Sequence, residues 1–285
     1  MRALIPFILL ALSLHQVPSA WGAEVLILQS SSSPVYTEAL HGFRAAFNGA
    51  DRTLLLTDYA EIDVQRIVKE ERPRLVLAVG DKALAASGKV REVPVLAMLA
   101  LSLNLKRQSP DNLGGVAMAV APERYLKLFD SLGAKRIGVL YDPNKTGHYL
   151  KKAVQEGRQL GLNLVTEPVN DPRELQAKLD KMKGNVDALW MLPDSTVVTT
   201  VNMEAFLLFS MTHNVPAVTF TSQYLKKGAA ASLDIDPFDI GRQAGELALS
   251  VLKGSAPRKL PTLDPRKTHL HTNEIVLRKL HKKIL

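Results

Sequence analysis

Apolar residues along the chain fall into two alternating rhythms. Short runs rich in aliphatic and β-branched residues recur at residues 25–29, 53–57, 75–79, 93–99 and 115–120. A second series occupies 136–141, 163–169, 188–192, 217–221 and 230–235. Several are continuously apolar, the pattern of parallel strands covered on both faces. Between them, apolar positions return every three or four residues. Leu40, Phe43 and Phe47 share one helical face, as do Tyr125, Leu128, Phe129 and Leu132. Leu150, Ala153, Val154, Gly157 and Leu160 form another, followed by Leu175, Leu179 and Met182, and then Ile240, Ala244, Leu247, Val251 and Leu252. Strand–helix alternation predicts parallel sheets with right-handed crossovers.

The runs are too many for one sheet, and the pattern breaks once. Residues 102–115 (SLNLKRQSPDNLGG) are polar and rich in turn formers. The alternation restarts at Arg136, so two α/β lobes of similar size are expected. The late helix, 238–253, lies beyond the second series and can complete the first lobe only if the chain crosses more than once. The expected division is residues 23–120 with 236–264 for lobe 1, and 121–235 with 265–285 for lobe 2.

Residues 1–22 read as a cleaved export signal. One arginine precedes the apolar stretch 3–14, which is too short to span a bilayer. Cleavage near Gly22 places small residues, Ala20 and Gly22, at the positions such sites require. The mature chain is then periplasmic. With 46% hydrophobic and 22% charged residues in 285, it is globular and large enough to bury a real core. It contains no cysteine, which excludes disulfides, thiol nucleophiles and cysteine zinc sites. The net charge of +8 is concentrated at one end: residues 253–285 hold nine Lys/Arg against Asp264 and Glu274. A basic tail without interleaved aromatics does not predict nucleic-acid binding, and it suits a solvated face or a neighbouring anionic lipid surface.

In open parallel sheets, ligands sit beyond the carboxyl ends of the strands, where helix N-termini attract anions. The first strand is followed by Ser30, Ser31, Ser32 and Ser33, hydroxyls that cap a helix or bind ligand oxygens. After 75–79 come Gly80, which permits close backbone approach, and Asp81, an N-cap or a partner for a ligand amine. After 93–99 come Ala100, Leu101 and Ser102. In the second series Tyr141 can stack on a ligand and Asn144 can hydrogen-bond it, or both belong to a turn. Asp194 and Thr196 follow 188–192, and Ser222 follows 217–221. Asp234 and Asp236 lie at an expected crossing, where an acid holds an ammonium group or caps the helix opening at Pro237. An amino acid or similar small carboxylate is the ligand these groups predict.

The stretch 136–200 (RIGVLYDPNKTGHYLKKAVQEGRQLGLNLVTEPVNDPRELQAKLDKMKGNVDALWMLPDSTVVTT) resembles the second lobe of periplasmic solute-binding proteins of ABC transporters. The resemblance is to the group that binds tryptophan and related amino acids. DIDPFDIGRQAGELALSVLKGSAPRKLP matches that family's return segment, and LVLAVGDKALAA and VPVLAML match the first lobe more loosely. It implies a type I periplasmic-binding fold: two flavodoxin-like, doubly wound lobes joined by a multi-crossing hinge, with a cleft that closes on a ligand. It also implies an inner-membrane permease and ATPase complex as partner, a monomer, and a cleft lined by the Pro-Asp-Ser-Thr run that contains Asp194 and Thr196. The sequence departs from the family at 100–104, where Thr-Asp-Pro is common.

Catalytic motifs are missing: there is no nucleophile elbow, phosphate loop or His-Glu-x-x-His run. His269 and His271 alternate along an expected strand, but two histidines do not make a metal site. His148 and His213 fall in helical segments. No cofactor and no catalytic residue are expected. An exported sensor or scaffold of the same fold, acting on a membrane partner without transport, is the alternative that the departure at 100–104 and the basic tail suggest. An α/β enzyme using Asp142 and Asp194 as acid and base is a third.

Overall fold

The computed structural model describes residues 23–103 and 110–284. The export signal expected at 1–22, and Asn104 within the expected departure, lie outside those residues.

The first half of the chain forms β1 (Val25–Gln29), α1 (Pro34–Ala46), β2 (Asp51–Leu55), α2 (Val64–Glu71), β3 (Leu75–Val79), α3 (Asp81–Ala86), β4 (Val95–Met98) and β5 (Leu113–Val116). Next come α4 (Pro122–Ser131), β6 (Arg136–Tyr141), α5 (Gly147–Gln159), β7 (Asn163–Pro168), α6 (Leu175–Met182) and β8 (Ala188–Trp190). Then follow α7 (Thr200–His213), β9 (Ala217–Thr219), β10 (Ala231–Ile235), α8 (Pro237–Leu252), β11 (Thr262–Leu263), β12 (Thr268–Thr272) and α9 (Glu274–Lys279).

These strands build two six-stranded sheets. Their orders are β11-β5-β4-β3-β1-β2 and β12-β10-β9-β8-β6-β7. Each is the 2-1-3-4-5 winding of a flavodoxin-like fold with a sixth strand added, as expected. All pairings are parallel except β10 with β12. Central strands are buried on both faces, and β3 has all five residues buried, which explains its unbroken apolar run. The chain passes between the sheets after β5, after β10 and after β11. The first passage corrects the expected strand 115–120: pairing stops at Val116 because 117–121 leave the sheet. The second strand lies two residues earlier than expected and ends at Leu55, because Leu56–Asp58 form a 3₁₀ turn.

The second passage sends α8 back onto α1. Ile240, Ala244 and Leu247 are buried with Ala39, Leu40 and Phe43 over the first sheet. The helix α7 has no apolar stripe; Val201 and Leu208 are exposed while Met203, Phe206 and Phe209 are buried, so helical periodicity is weak there.

The passages are fastened by charge. Asp236 caps α8 by accepting from the Asp239 N–H (2.9 Å), and its other oxygen meets Lys267 Nζ (2.5 Å) and His269 Nε2 (3.1 Å). Arg266 reaches Asp239 and Glu246, and Arg124 of α4 donates to the Arg266 carbonyl and to Thr268 Oγ1. Burial of Asp236 by itself opposes ionisation, but Lys267, the Asp239 N–H and His269 outweigh it and hold the carboxyl at about 2. A depressed folded value means stability that is present above the unfolded pKa, about 4, and is lost as pH falls through about 2. Asp236→Asn is therefore expected to flatten the acid limb of a stability–pH curve between those values. An unchanged acid limb would remove Asp236 from that role.

Candidate functional site

A small apolar cavity of about 30 Å³ lies where residues from both sheets converge with the passages after β5 and β10. Leu101, after β4, supplies the wall from the first sheet. Met118, Ala119 and Val120 come from the first passage and Ile235 from the end of β10. Pro193 and Phe220 close it beyond β8 and β9, and Leu233, Tyr125 and Tyr149 complete the lining. As it stands the cavity has room for a water or two, so an amino-acid side group enters only when the walls part, and the mostly apolar lining then suits an aliphatic or aromatic one.

The floor is an aromatic stack. Tyr125 and Tyr149 stand 4.8 and 5.9 Å, centroid to centroid, from the fully buried Trp190, with Phe129 at 5.7 Å. Their hydroxyls are turned to the backbone: Tyr149 donates to the Val120 carbonyl (2.7 Å) and Tyr125 to that of Leu233 (3.4 Å). Burial pushes both phenols well above their ordinary range, with the Asp234 charge adding to the effect on Tyr125, so both remain neutral donors. Two buried polar atoms adjoin this region without a hydrogen-bond partner, Trp190 Nε1 and Thr219 Oγ1, the latter one residue before Phe220.

Around the cavity, polar groups hold the loops in place. Asp194 is 2% exposed, and its carboxylate accepts from the Asp142 N–H (2.8 Å), Thr146 Oγ1 (2.6 Å), and the N–H groups of Thr196 (3.0 Å) and Val197 (3.3 Å). Asp142 in turn accepts from Thr196 Oγ1 (2.6 Å) and the Asn144 N–H (2.8 Å). The loop after β6 is thereby stitched to the loop after β8, whose Pro193 faces the cavity. Asp234 accepts from the N–H (2.8 Å) and hydroxyl (2.7 Å) of Ser222 and from Ser232 Oγ (2.6 Å), which fixes the strand end between Leu233 and Ile235.

On the first sheet's side, Asp81 accepts from the N–H groups of Leu101 (3.2 Å) and Ser102 (2.8 Å), setting the turn that presents Leu101. Gly80, at φ 88°, is in the left-handed region, and a Cβ there would collide with the Tyr36 hydroxyl and lie 2.7 Å from Ser30 Oγ. Ser30 Oγ receives the Ala83 N–H (2.9 Å), so Ser30 satisfies the start of α3; Ser31 is half-buried and Ser32 exposed. Tyr141 and Asn144 are not brought to the cavity. Tyr141 lines a separate hollow beside α5 with Lys151, Arg158 and Thr166, and Asn144 is exposed in its turn.

Of the residues singled out from sequence, Leu101 lines the cavity. The others missed were carried by strand ends and passages, or, like Tyr125 and Tyr149, by helical faces that sequence periodicity assigns to core. Pro193 and Phe220 were within reach of the strand-end rule, one residue before Asp194 and two before Ser222. His269 and His271 occupy β12 as expected, with ring centroids 6.3 Å apart. Among the described residues, no group of three or more His, Cys, Asp or Glu side chains is placed to hold a metal. No helix among them is long and apolar enough to cross a membrane.

Comparison with known proteins follows the same lines. A family model described as ABC transporter substrate binding protein matches residues 57–284. A tyrosine-binding protein of Clostridioides difficile (strain R20291) is 21% identical over 226 residues, covering 75% of this chain. The chain spans 65% of that relative's length. Among solved structures, a ligand-free, open substrate-binding protein with adhesive properties from Clostridium difficile superposes with a TM-score of 0.69 at 19% identity, over 91% of this chain and 95% of the other. An ABC domain from Streptococcus pneumonia in complex with L-Trp gives 0.64 at 18% identity, over 93% and 96%. The fold is shared with both, and the extent of the family match settles the wider relationship: the chain belongs to the family of ABC transporter substrate-binding proteins.

Proposed function

We propose that the protein is the exported solute-binding component of an ABC-type uptake system. It grips an amino acid or small carboxylate with an apolar side group between lobe 1 (23–120 with 236–264) and lobe 2 (121–235 with 265–285). It then delivers the ligand to a membrane permease complex, with no chemical step. The observation that carries this reading is the cavity lined by Leu101 on one side, by Pro193 and Phe220 on the other, and by two passages between them. A ligand touching both walls is held best when the lobes are closed, so it shifts the population toward that state. Ser31 and Ser32, near the start of α1, are the polar groups proposed for the ligand's charged end, while Ser222 and Asp234 fix the end of β10. Asp194, Thr196, Asn144, Asp81 and Gly80 hold the loops that present the walls. The names of the relatives, tyrosine-binding and in complex with L-Trp, support an aromatic amino acid as the first ligand to try.

Thermal-shift titration against amino acids and organic acids tests this. A ligand at 100 times its dissociation constant is expected to add about 2.7 kcal/mol. Trp190 provides a second readout, because the cavity's two tyrosines stack on it; with Trp21→Phe it is the only tryptophan. Phe220→Ala is expected to weaken the same ligand about ten-fold, from roughly 1.5 kcal/mol of lost apolar contact. If no amino acid or organic acid alters either signal, or the bound molecule leaves chemically changed, the reading fails.

A further inference from the structure

The basic end of the chain forms a surface at the rim where the strands of the second sheet begin, opposite the cavity. Residues 131–133 precede β6, Lys226 and Lys227 precede β10, and α9 follows β12, which runs antiparallel toward the same rim. Asn273 Nδ2 donates to the Leu225 carbonyl (2.9 Å), which joins the start of α9 to the turn carrying Lys226 and Lys227. Val276, Leu277 and Leu280 anchor α9 in the core of the second sheet.

The tail beyond α9 is held in place. His281 adopts a left-handed conformation (φ 52°), and the Lys282 N–H bonds back to the Leu277 carbonyl (2.9 Å), as at many helix ends. Ile284 packs on the same core. Arg278, His281, Lys282 and Lys283 thus edge one broad hollow with Leu132 and Gly133.

Among the described residues, Lys226, Lys227, Arg278, Lys279, Lys282 and Lys283 form no ion pair, whereas the acids of this rim are occupied: Asp130 by Lys135, Asp180 by Lys183, Asp187 by Arg136. Glu274 accepts from Thr272 Oγ1. One apolar residue stands among the cations: Ile275 is 73% exposed, on the helical face of Arg278 and Lys279. Uncompensated cations around an exposed aliphatic side chain match an anionic interface that is charged at its surface and apolar just beneath.

We propose that this rim docks on an anionic lipid bilayer, holding the protein at a membrane surface with the cavity on the opposite rim left free. This is independent of which ligand the cavity takes. The test is co-sedimentation of the full chain with vesicles of phosphatidylcholine alone, or of phosphatidylcholine mixed with phosphatidylglycerol, at low and high salt. Residues 1–22 are common to all the variants, so differences between variants isolate the rim. The wild type is expected to pellet with the mixed vesicles and to be released by salt. Partitioning should fall on the order of five-fold per cation removed, in Lys226→Gln/Lys227→Gln and separately in Lys282→Gln/Lys283→Gln. Ile275→Ser should weaken binding further at a given salt, while Lys151→Gln/Arg158→Gln, on the α5 face, should bind as the wild type does. Equal binding to neutral vesicles, no binding to anionic ones, or equal losses from the α5 pair and the rim pairs would overturn the proposal. Unchanged melting temperatures show that the variants are folded.

Discussion

Gly241→Ala is expected to destabilise the protein by about 3 kcal/mol, the upper part of the range for overpacking a well-packed contact. A Cβ on Gly241 would overlap the Ala39 carbonyl and stand 2.8 Å from the Phe43 nitrogen. These are backbone atoms of α1 and cannot rotate away. Gly42 faces the Phe238 carbonyl in the same manner, and a Cβ on Gly245 would be 2.6 Å from that of Phe43. Three glycines thus let α1 and α8 touch main chain to main chain, and one methyl group forces the pair apart over Phe43, Ile240 and Ala244. Gly161 is the control: it has a positive φ (68°) but open space around it, so its alanine variant pays only for backbone strain, about 1 kcal/mol. Urea denaturation followed by circular dichroism checks both. Equal losses at the two positions would refute the close-contact argument.

Asp194→Ala is the second large effect, with an expected loss of about 3 kcal/mol. The substitution strands the Asp142, Thr196 and Val197 N–H groups and the Thr146 hydroxyl, all of which point at a carboxylate that is 2% exposed. Asp194→Asn should fall between, because its amide NH₂ would face a donor on one side. The loop it stitches carries Pro193, so ligand affinity should drop together with stability. Paired measurements, a urea melt and a ligand titration followed by Trp190 fluorescence, distinguish the roles. Affinity lost at unchanged stability would mean that Asp194 touches the ligand itself.

The sheets were legible in the sequence because their strands are buried on both faces, so β1, β3 and β6 match their apolar runs residue for residue. Places where the chain leaves a sheet were harder to read. Residues 117–120 are as apolar as a strand, since they are buried or half-buried between the sheets, and hydrophobicity does not report hydrogen-bond pairing. The same limit hid the cavity. A wall made of Met118, Val120, Phe220 and Ile235 looks like core, whereas the polar residues that stand out in the sequence, Asp194 and Asp234, spend their acceptors on neighbouring loops. Helix α7 was legible only through His213, read as helical, because apolar residues on all its sides leave no stripe to give its bounds.

The return of α8 to α1 separates touching residues, Ala39 and Gly241, by about 200 positions, a long-range closure of the kind that slows folding. A chain emerging from the ribosome, beginning end first, must therefore wait until nearly all of it is made before its opening segment can be sealed. Removing the chain from Pro237 onward would consequently strip α8 from α1 and destabilise the half that was synthesised first.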